Sequence, residues 1–332
     1  MSKCLAVRID KMKKTIFFLI VTFILICFWT DAYPSPSPVG SSRNEFGQTL
    51  EEPAWGMIEW SSATLPKGFW YPTFEFIYVH GESYFSAGKE LDFPGGRDST
   101  AYILGARLIY GLSNNFSLGI FIPFMLDQKV DSGMFGTNIK VISGASNFGD
   151  VQLWVKYHLL DRYFWSLASQ AGATLPTGTP HNKVSSKEAA TGDGQTDLNL
   201  ALNGDILLTE ESFIKLDTRF VYQFQRTYRY EGGELVDEKL GNSLGLDVGF
   251  VKNFKNMGFG GALQYDFWQG TKLNKELVTP DSDLFNLLLQ LSLGNLSPQK
   301  HGKLDFTLDL PLTGKNTSAT YRFGISLKTI FR

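Results

Sequence analysis

The sequence predicts an all-β protein, a 12-stranded antiparallel up-and-down transmembrane β-barrel. Apolar and polar residues alternate with period two in runs of about 10 to 13 residues. A tilted membrane strand needs roughly 9 to 11 residues, whereas strands of soluble proteins average roughly 5 to 6. Long and short connections alternate between the runs, as in outer-membrane barrels. Aromatic residues also gather at the run ends, where such barrels have interfacial girdles.

The composition narrows the possible partners. The chain has 332 residues, of which 43% are hydrophobic, 14% aromatic and 19% charged. This excludes disordered and collagen-like proteins. The 31 Lys and Arg residues against 33 Asp and Glu give a net charge of -2. No basic surface is therefore expected, and nucleic acid is excluded as a partner.

Residues 1–32 are predicted to be a secretory signal peptide. An apolar run from Thr15 to Trp29 follows three lysines, and Ala32 ends a segment with small residues at the cleavage positions. The run is shorter than the roughly 20 residues of a spanning helix. Met12 is an alternative start to Met1, because it opens a more typical signal.

Both cysteines lie before the predicted cleavage site, at positions 4 and 27. The exported chain is therefore expected to have neither disulfides nor thiolate metal sites. Residues 33–67, which open on Pro, Ser and Gly, are predicted to be a flexible periplasmic leader or a plug in the barrel lumen. Residues 68–332 are assigned to the barrel.

Twelve alternating runs follow. In the clearest, Phe116, Ile120 and Phe124 share a face opposite Ser117. The predicted strands are 69–80, 100–110, 116–126, 150–160, 165–175, 197–207, 213–228, 240–251, 258–268, 284–293, 303–312 and 319–331.

The connections predict which strand ends face outward. Long ones are expected at 81–98, 127–148, 176–196, 229–239 and 269–281. Short periplasmic turns are expected at 111–115, 161–163 and 209–212, and the 294–302 turn is longer than this rule predicts. Proline has no N–H for a ladder hydrogen bond, so Pro123, Pro176 and Pro311 are expected at strand ends on the outer rim.

The last run, 319–331, resembles the closing strand by which outer-membrane proteins are recognised for insertion, although Arg332 follows its terminal aromatic residue. The resemblance implies the barrel-assembly machinery and outer-membrane lipids as partners, and the bacterial outer membrane as the location.

Five further segments resemble the transporter-like outer-membrane family associated with meta-pathway phenol degradation, or a related uncharacterised family. They are TLPKG at 64–68, NFGDVQLWVKYHLL at 147–160, ATLPTG at 173–178, DGQTDLNLAL at 193–202 and PLTGKN at 311–316. The resemblance covers residues 60–332. It implies passage of small, often aromatic, organic solutes across the outer membrane.

The lumen is the candidate site. Twelve tilted strands leave an interior roughly 10 Å wide after the inward side chains are placed. Its walls are expected to carry both signs of charge, either as a selectivity device or as a salt-bridged filling. The predicted charged lumen residues are Glu75, Arg107, Lys156, Asp205, Lys215, Asp217, Arg219, Asp247, Asp266, Asp305, Asp309, Arg322 and Lys328.

Two adjacent runs carry very little inward side-chain bulk. The first offers Gly241, Gly245 and Gly249 to the lumen, and the second offers Gly258 and Gly260. They predict a free passage along this wall, occupied by solute or by the leader. Alternatively, the small residues relieve barrel curvature.

Two rival functions stay open. One is a plugged structural barrel without transport. The other is an outer-membrane lipid hydrolase, for which His80 with Ser83 nearby is the only local candidate. No third group to orient a base and no metal-ligand spacing is visible, so the prediction is a non-enzyme without catalytic residues, metal or cofactor.

Overall fold

A computed structural model describes residues 62–92, 99–131, 141–142, 147–162, 164–180, 183, 190–209, 211–229, 234–254, 257–294 and 302–331. The predicted signal peptide, most of the leader, both cysteines and Arg332 lie outside these residues. Among the described residues, no helix has the length and apolar character needed to cross a membrane.

Twelve long strands form one sheet. They are β1 (Trp70–Ser86), β2 (Ser99–Ser113), β3 (Phe116–Asp131), β4 (Val151–Asp161), β5 (Trp165–Leu175), β6 (Asp197–Thr209), β7 (Ser212–Gln223), β8 (Ser243–Phe254), β9 (Met257–Trp268), β10 (Ser282–Gly294), β11 (Gly302–Lys315) and β12 (Thr317–Thr329). Each pairs antiparallel with its neighbours in sequence.

The sheet closes on itself through its first and last strands. Strand β12 pairs antiparallel with β1, with Phe76 opposite Ile325 and Tyr78 opposite Phe323. Closure leaves no edge strand with unpaired backbone groups, which a membrane requires. The predicted 12-stranded antiparallel barrel is confirmed.

The two faces of the barrel differ in polarity. On β8 the outward side chains Leu244, Leu246 and Val248 are 36%, 42% and 55% exposed, whereas Asp247, facing the interior, is 5% exposed. The same alternation recurs on β6, where outward leucines at 198, 200 and 202 flank polar inward residues. The outer surface is thus an apolar belt that suits acyl chains.

Several strands extend beyond their predicted ends. Strand β1 continues to Ser86 and makes a hairpin with a short strand, Lys89–Asp92. Ala87 and Gly88 both have positive φ in its turn, which suits a two-residue hairpin loop. The predicted 213–228 strand is divided in two. Strand β7 ends at Gln223, and Arg226–Arg229 belongs to a separate small sheet formed by the outer loops.

Two of the three prolines are not at strand ends. Pro123 lies within β3, where regular pairing with β4 has stopped after Phe121, and Pro311 lies at a register shift between β10 and β11. Both positions are local interruptions of a ladder, where a missing N–H costs little. Pro176 directly follows β5, as expected.

Candidate functional site

Residues 62–67 lie inside the end of the barrel that carries the short turns, which is the predicted periplasmic end. The Ser62 N–H and hydroxyl donate to Asp205 Oδ2 at 2.9 and 2.6 Å, and its carbonyl accepts from His158 Nδ1 at 2.9 Å. Further along, Leu65 is fully buried and packs with Tyr71 and other apolar residues. This segment fills the end of the lumen beside β2 to β6.

A charged cluster fills the interior near β11 and β12. Asp305 lies 3.4 Å from the Lys303 ammonium and 2.9 Å from that of Lys328. The Gln290 amide also donates to Asp305 at 3.1 Å. All four side chains are buried, so mutual pairing offsets the desolvation of the ions. This arrangement is a structural filling of the wall.

Higher in the lumen, Arg219 joins two acidic residues. Its guanidinium lies 3.1 Å from Asp247 and 3.3 Å from Asp266. A Cβ at Gly245 would come within 2.8 Å of Asp266 Oδ1 and 3.0 Å of Arg219 Nε. The glycine therefore leaves the space in which this ion cluster forms. Beside it, the Asn203 amide donates to Asp217 at 2.7 Å.

A second ion pair lies on the opposite wall. Arg107 is 3.6 Å from Glu75, and its guanidinium lies over the Phe121 ring at 4.9 Å from the centroid. The guanidinium groups of Arg107 and Arg219 are thus each paired with carboxylates.

A cavity of about 300 Å³ lies between these groups. Its wall includes side chains from β2 and β4 to β8, and both signs of charge are present. The inward residues of the wall are Arg107, Gln152, Trp154, Gln170, Gly172, Asn199, Ala201, Asn203, Asp217, Arg219, Val221 and Asp247. The cavity lies above the Ser62 segment, because Asp205 is one inward position nearer the periplasm than Asn203 on β6.

Asp150, the residue before β4, joins two loop segments at the outer rim through hydrogen bonds. Its two oxygens accept from the N–H groups of Gly178 at 2.8 Å and Asp193 at 2.9 Å. Three of the segments that carry the sequence resemblance, 147–160, 173–178 and 193–202, therefore meet at one carboxylate. Burial raises the pKa of Asp193, and the nearby Asp150 carboxylate adds to this increase.

The predicted charged lumen residues lie on inward positions of the strands. Arg219, Asp247 and Asp266 meet in one cluster, Arg107 pairs with Glu75, and Lys156, Lys215 and Arg322 lie on β4, β7 and β12. Lys156, Lys215 and Asp217 are buried.

The larger cavity does not lie along the glycine-rich wall where the free passage was predicted. Gly241 precedes β8, and a Cβ there would lie 1.6 Å from the Gln269 carbonyl oxygen, so it belongs to a close loop contact at the outer rim. Gly249 and Gly260 border a space of about 20 Å³. The larger cavity lies toward β4, β5 and β6.

The candidate hydrolase residues are not brought together. Ser83 donates its hydroxyl to Glu90, and the His80 imidazole lies 3.9 Å from Glu82. His80 shares the outward face of β1 with Tyr78, its ring neighbour. His181 and His301 lie outside the described residues.

The neutral part of the cavity wall is absent from the lumen residues that charge predicts. It consists of Gln152, Trp154, Gln170, Asn199 and Asn203. Their signal is the period-two parity of their strands, since Gln152 and Trp154 share a face with Lys156, and Asn199 and Asn203 share one with Asp205. Gln170 is the register partner of Lys156 on the next strand.

Comparison with known proteins identifies solved structures with a similar fold. No family model and no curated protein matches the chain. The COG4313 outer membrane channel from Pseudomonas putida F1 is 14% identical, with a TM-score of 0.69 over 81% of this chain and 98% of that one. A Pseudomonas aeruginosa FadL homologue is 9% identical, with a TM-score of 0.45 over 90% and 98% of the two chains. The Ralstonia pickettii toluene transporter TbuX is 13% identical, with a TM-score of 0.43 over 89% and 98%.

Proposed function

We propose that this protein is a channel of the bacterial outer membrane that gives small organic solutes passive passage. The observation that carries the proposal is the cavity of about 300 Å³ with a polar wall, enclosed by a barrel whose outer face is apolar. Such a barrel presents a hydrated path through a lipid layer. The likeness in fold to the Pseudomonas putida F1 channel supports the same proposal.

Three finer features belong to the proposal. Residues 1–32 direct export and are removed, the 319–331 strand engages the barrel-assembly machinery, and the solutes include aromatic compounds, as the family resemblance implies. Of the residues predicted for the lumen, Arg107, Asp217, Arg219 and Asp247 line the path.

Liposome swelling tests the proposal. Vesicles containing the refolded mature protein should swell in small sugars and aromatic acids, at rates that fall with solute size. Vesicles with the heat-unfolded chain are the control, and detergent gels with and without boiling verify that the barrel is intact. If an intact barrel passes neither ions nor any of these solutes, the channel proposal is wrong.

A plugged structural barrel is the second candidate, favoured by one observation. Residues 62–67 occupy the periplasmic end of the lumen, where Ser62 bonds to Asp205. This candidate predicts that no solute enters the vesicles with the intact chain, and that solutes enter only after Asp205→Ala loosens the segment.

A further inference from the structure

The cavity wall formed by β4, β5 and β6 is unusually rich in neutral amides. Gln152, Gln170, Asn199 and Asn203 all face the cavity from these three neighbouring strands. An amide has two donor hydrogens and an acceptor oxygen without a net charge. One donor of Asn199 is already bonded to Thr174 Oγ1 at 2.9 Å and one donor of Asn203 to Asp217, which leaves the remaining amide groups for a ligand. The wall thus presents donors and acceptors at several heights of the lumen.

Trp154 supplies an aromatic surface in the middle of this wall. It is paired in register with Gly119 on one side and Gly172 on the other, and Gly172 is paired in turn with Asn199. A Cβ at Gly119 would lie 2.2 Å from Trp154 Cε2, so the indole crosses the bare backbone of that glycine. Gly119 therefore makes room for the ring, which packs against the Leu65 cluster and also contributes to the cavity wall.

The charges near the cavity do not favour an anionic ligand. Arg219 is shared by Asp247 and Asp266, and Arg107 faces Glu75. An anionic solute would have to compete with these carboxylates for the guanidinium groups. A neutral solute meets no such competition, because the amides already provide both hydrogen-bonding roles.

We infer that this cavity is a binding subsite for a neutral, hydroxyl-rich solute of about monosaccharide size. Adjacent hydroxyls of a sugar donate and accept in pairs, which matches side-chain amides, and the C–H face of the ring packs on an indole. A cavity of about 300 Å³ is at the lower end of the range for small-molecule sites, as a single sugar ring requires. The inference rests on the proposed channel function.

Current block in planar bilayers tests the inference. Potassium chloride current through the intact mature barrel is titrated with D-glucose, D-gluconate and benzoate. Glucose is expected to reduce the current with saturation, at a lower concentration than either anion. In Gln170→Leu and Asn199→Leu, the glucose concentration for half block should rise about tenfold or more, equivalent to about 1.4 kcal/mol.

The control is Asn286→Leu, the same chemical change at an inward position of β10 outside the cavity wall. Glucose should block the current through this variant at the same concentration as in the parent protein. Trp154→Phe, which keeps an aromatic face, should lose less affinity for glucose than Trp154→Ala does. A shift in gel migration on boiling shows that each variant is folded.

Different results would overturn the glucose subsite and the channel function. Potassium chloride current without glucose block, or stronger block by benzoate than by glucose, overturns the subsite while the channel stands. Equal effects of Asn286→Leu and Gln170→Leu also overturn it. Absence of any ion current through the intact barrel overturns the channel function itself.

Discussion

At the scale of single residues, glycines decide where other groups can approach the barrel wall. Gly111 on β2 is the clearest case, because a Cβ there would lie 2.0 Å from the Pro66 carbonyl oxygen. This oxygen belongs to the backbone, so it cannot move aside as a side chain does. Gly111 thus allows the 62–67 segment to lie against β2 at the periplasmic end.

We expect Gly111→Ala to displace the 62–67 segment. The variant should lose stability by about 1–3 kcal/mol, as overpacked positions do, and its single-channel conductance should increase. Gly204→Ala on β6 is the matched control, because a Cβ there meets only ordinary contacts, the nearest at 3.5 Å. Unchanged conductance in a folded Gly111→Ala barrel would show that the segment does not limit the path.

At the scale of elements, the alternation of strands was predictable and the structure of the outer loops was not. All twelve strands fall within a few residues of their alternating runs. The loops, in contrast, carry a small sheet with an ion pair in which Arg226 Nε donates to Glu238 at 2.6 Å. They also carry the Asp150 junction, whose partners lie 28 and 43 residues away in sequence. Periodicity within a strand has no information about such distant pairs.

The Asp150 junction should tighten at mildly acidic pH. Burial raises the pKa of Asp193, so the folded loops bind a proton more readily than the unfolded loops do. Their stability therefore rises as pH falls from neutral toward the ordinary Asp value. We expect larger hydrogen-exchange protection factors for residues 191–196 at pH 5.5 than at pH 7.5, after the intrinsic exchange rate at each pH is taken into account.

Asp193→Asn tests the cause of this pH dependence. The amide keeps an acceptor for the Gln195 N–H, which Asp193 now accepts at 2.7 Å. At pH 7.5 the variant should exchange more slowly than the parent, and its pH dependence should be weaker. Asp92→Asn, at an exposed position in the β1 hairpin, is the control. A pH dependence that is the same in all three proteins would exclude Asp193 as its source.

At the scale of the whole molecule, the two faces of the sheet determine where the barrel can exist. Outward leucines, valines and aromatic residues are exposed on the outside of the barrel, while many carboxylates, ammonium groups and amides are buried inside it. The folded chain therefore needs lipid or detergent around its belt. A mature chain that is soluble and monodisperse in plain buffer would contradict this arrangement.

A lysine in the belt should impair insertion. Val248 is outward and 55% exposed near the middle of β8, so Val248→Lys should cost about 2–4 kcal/mol of folding free energy in a bilayer. Thr307→Lys, on the inward face of β11 beside Asp305 and Asp309, should cost much less. The measurement is urea titration of folding into vesicles. Equal losses in both variants would mean that Val248 does not face lipid.

The sequence by itself determined the barrel and the face on which each residue lies, because alternation along an extended chain is a local property of the backbone. It also predicted the mixed charge of the lumen. Only the tertiary structure decided which inward groups meet. Ser62 bonds to Asp205 across 143 positions of sequence, and Trp154 lies between two glycines on different strands. Such contacts depend on strand register and on closure of the sheet, which arise from the pairing of all twelve strands together.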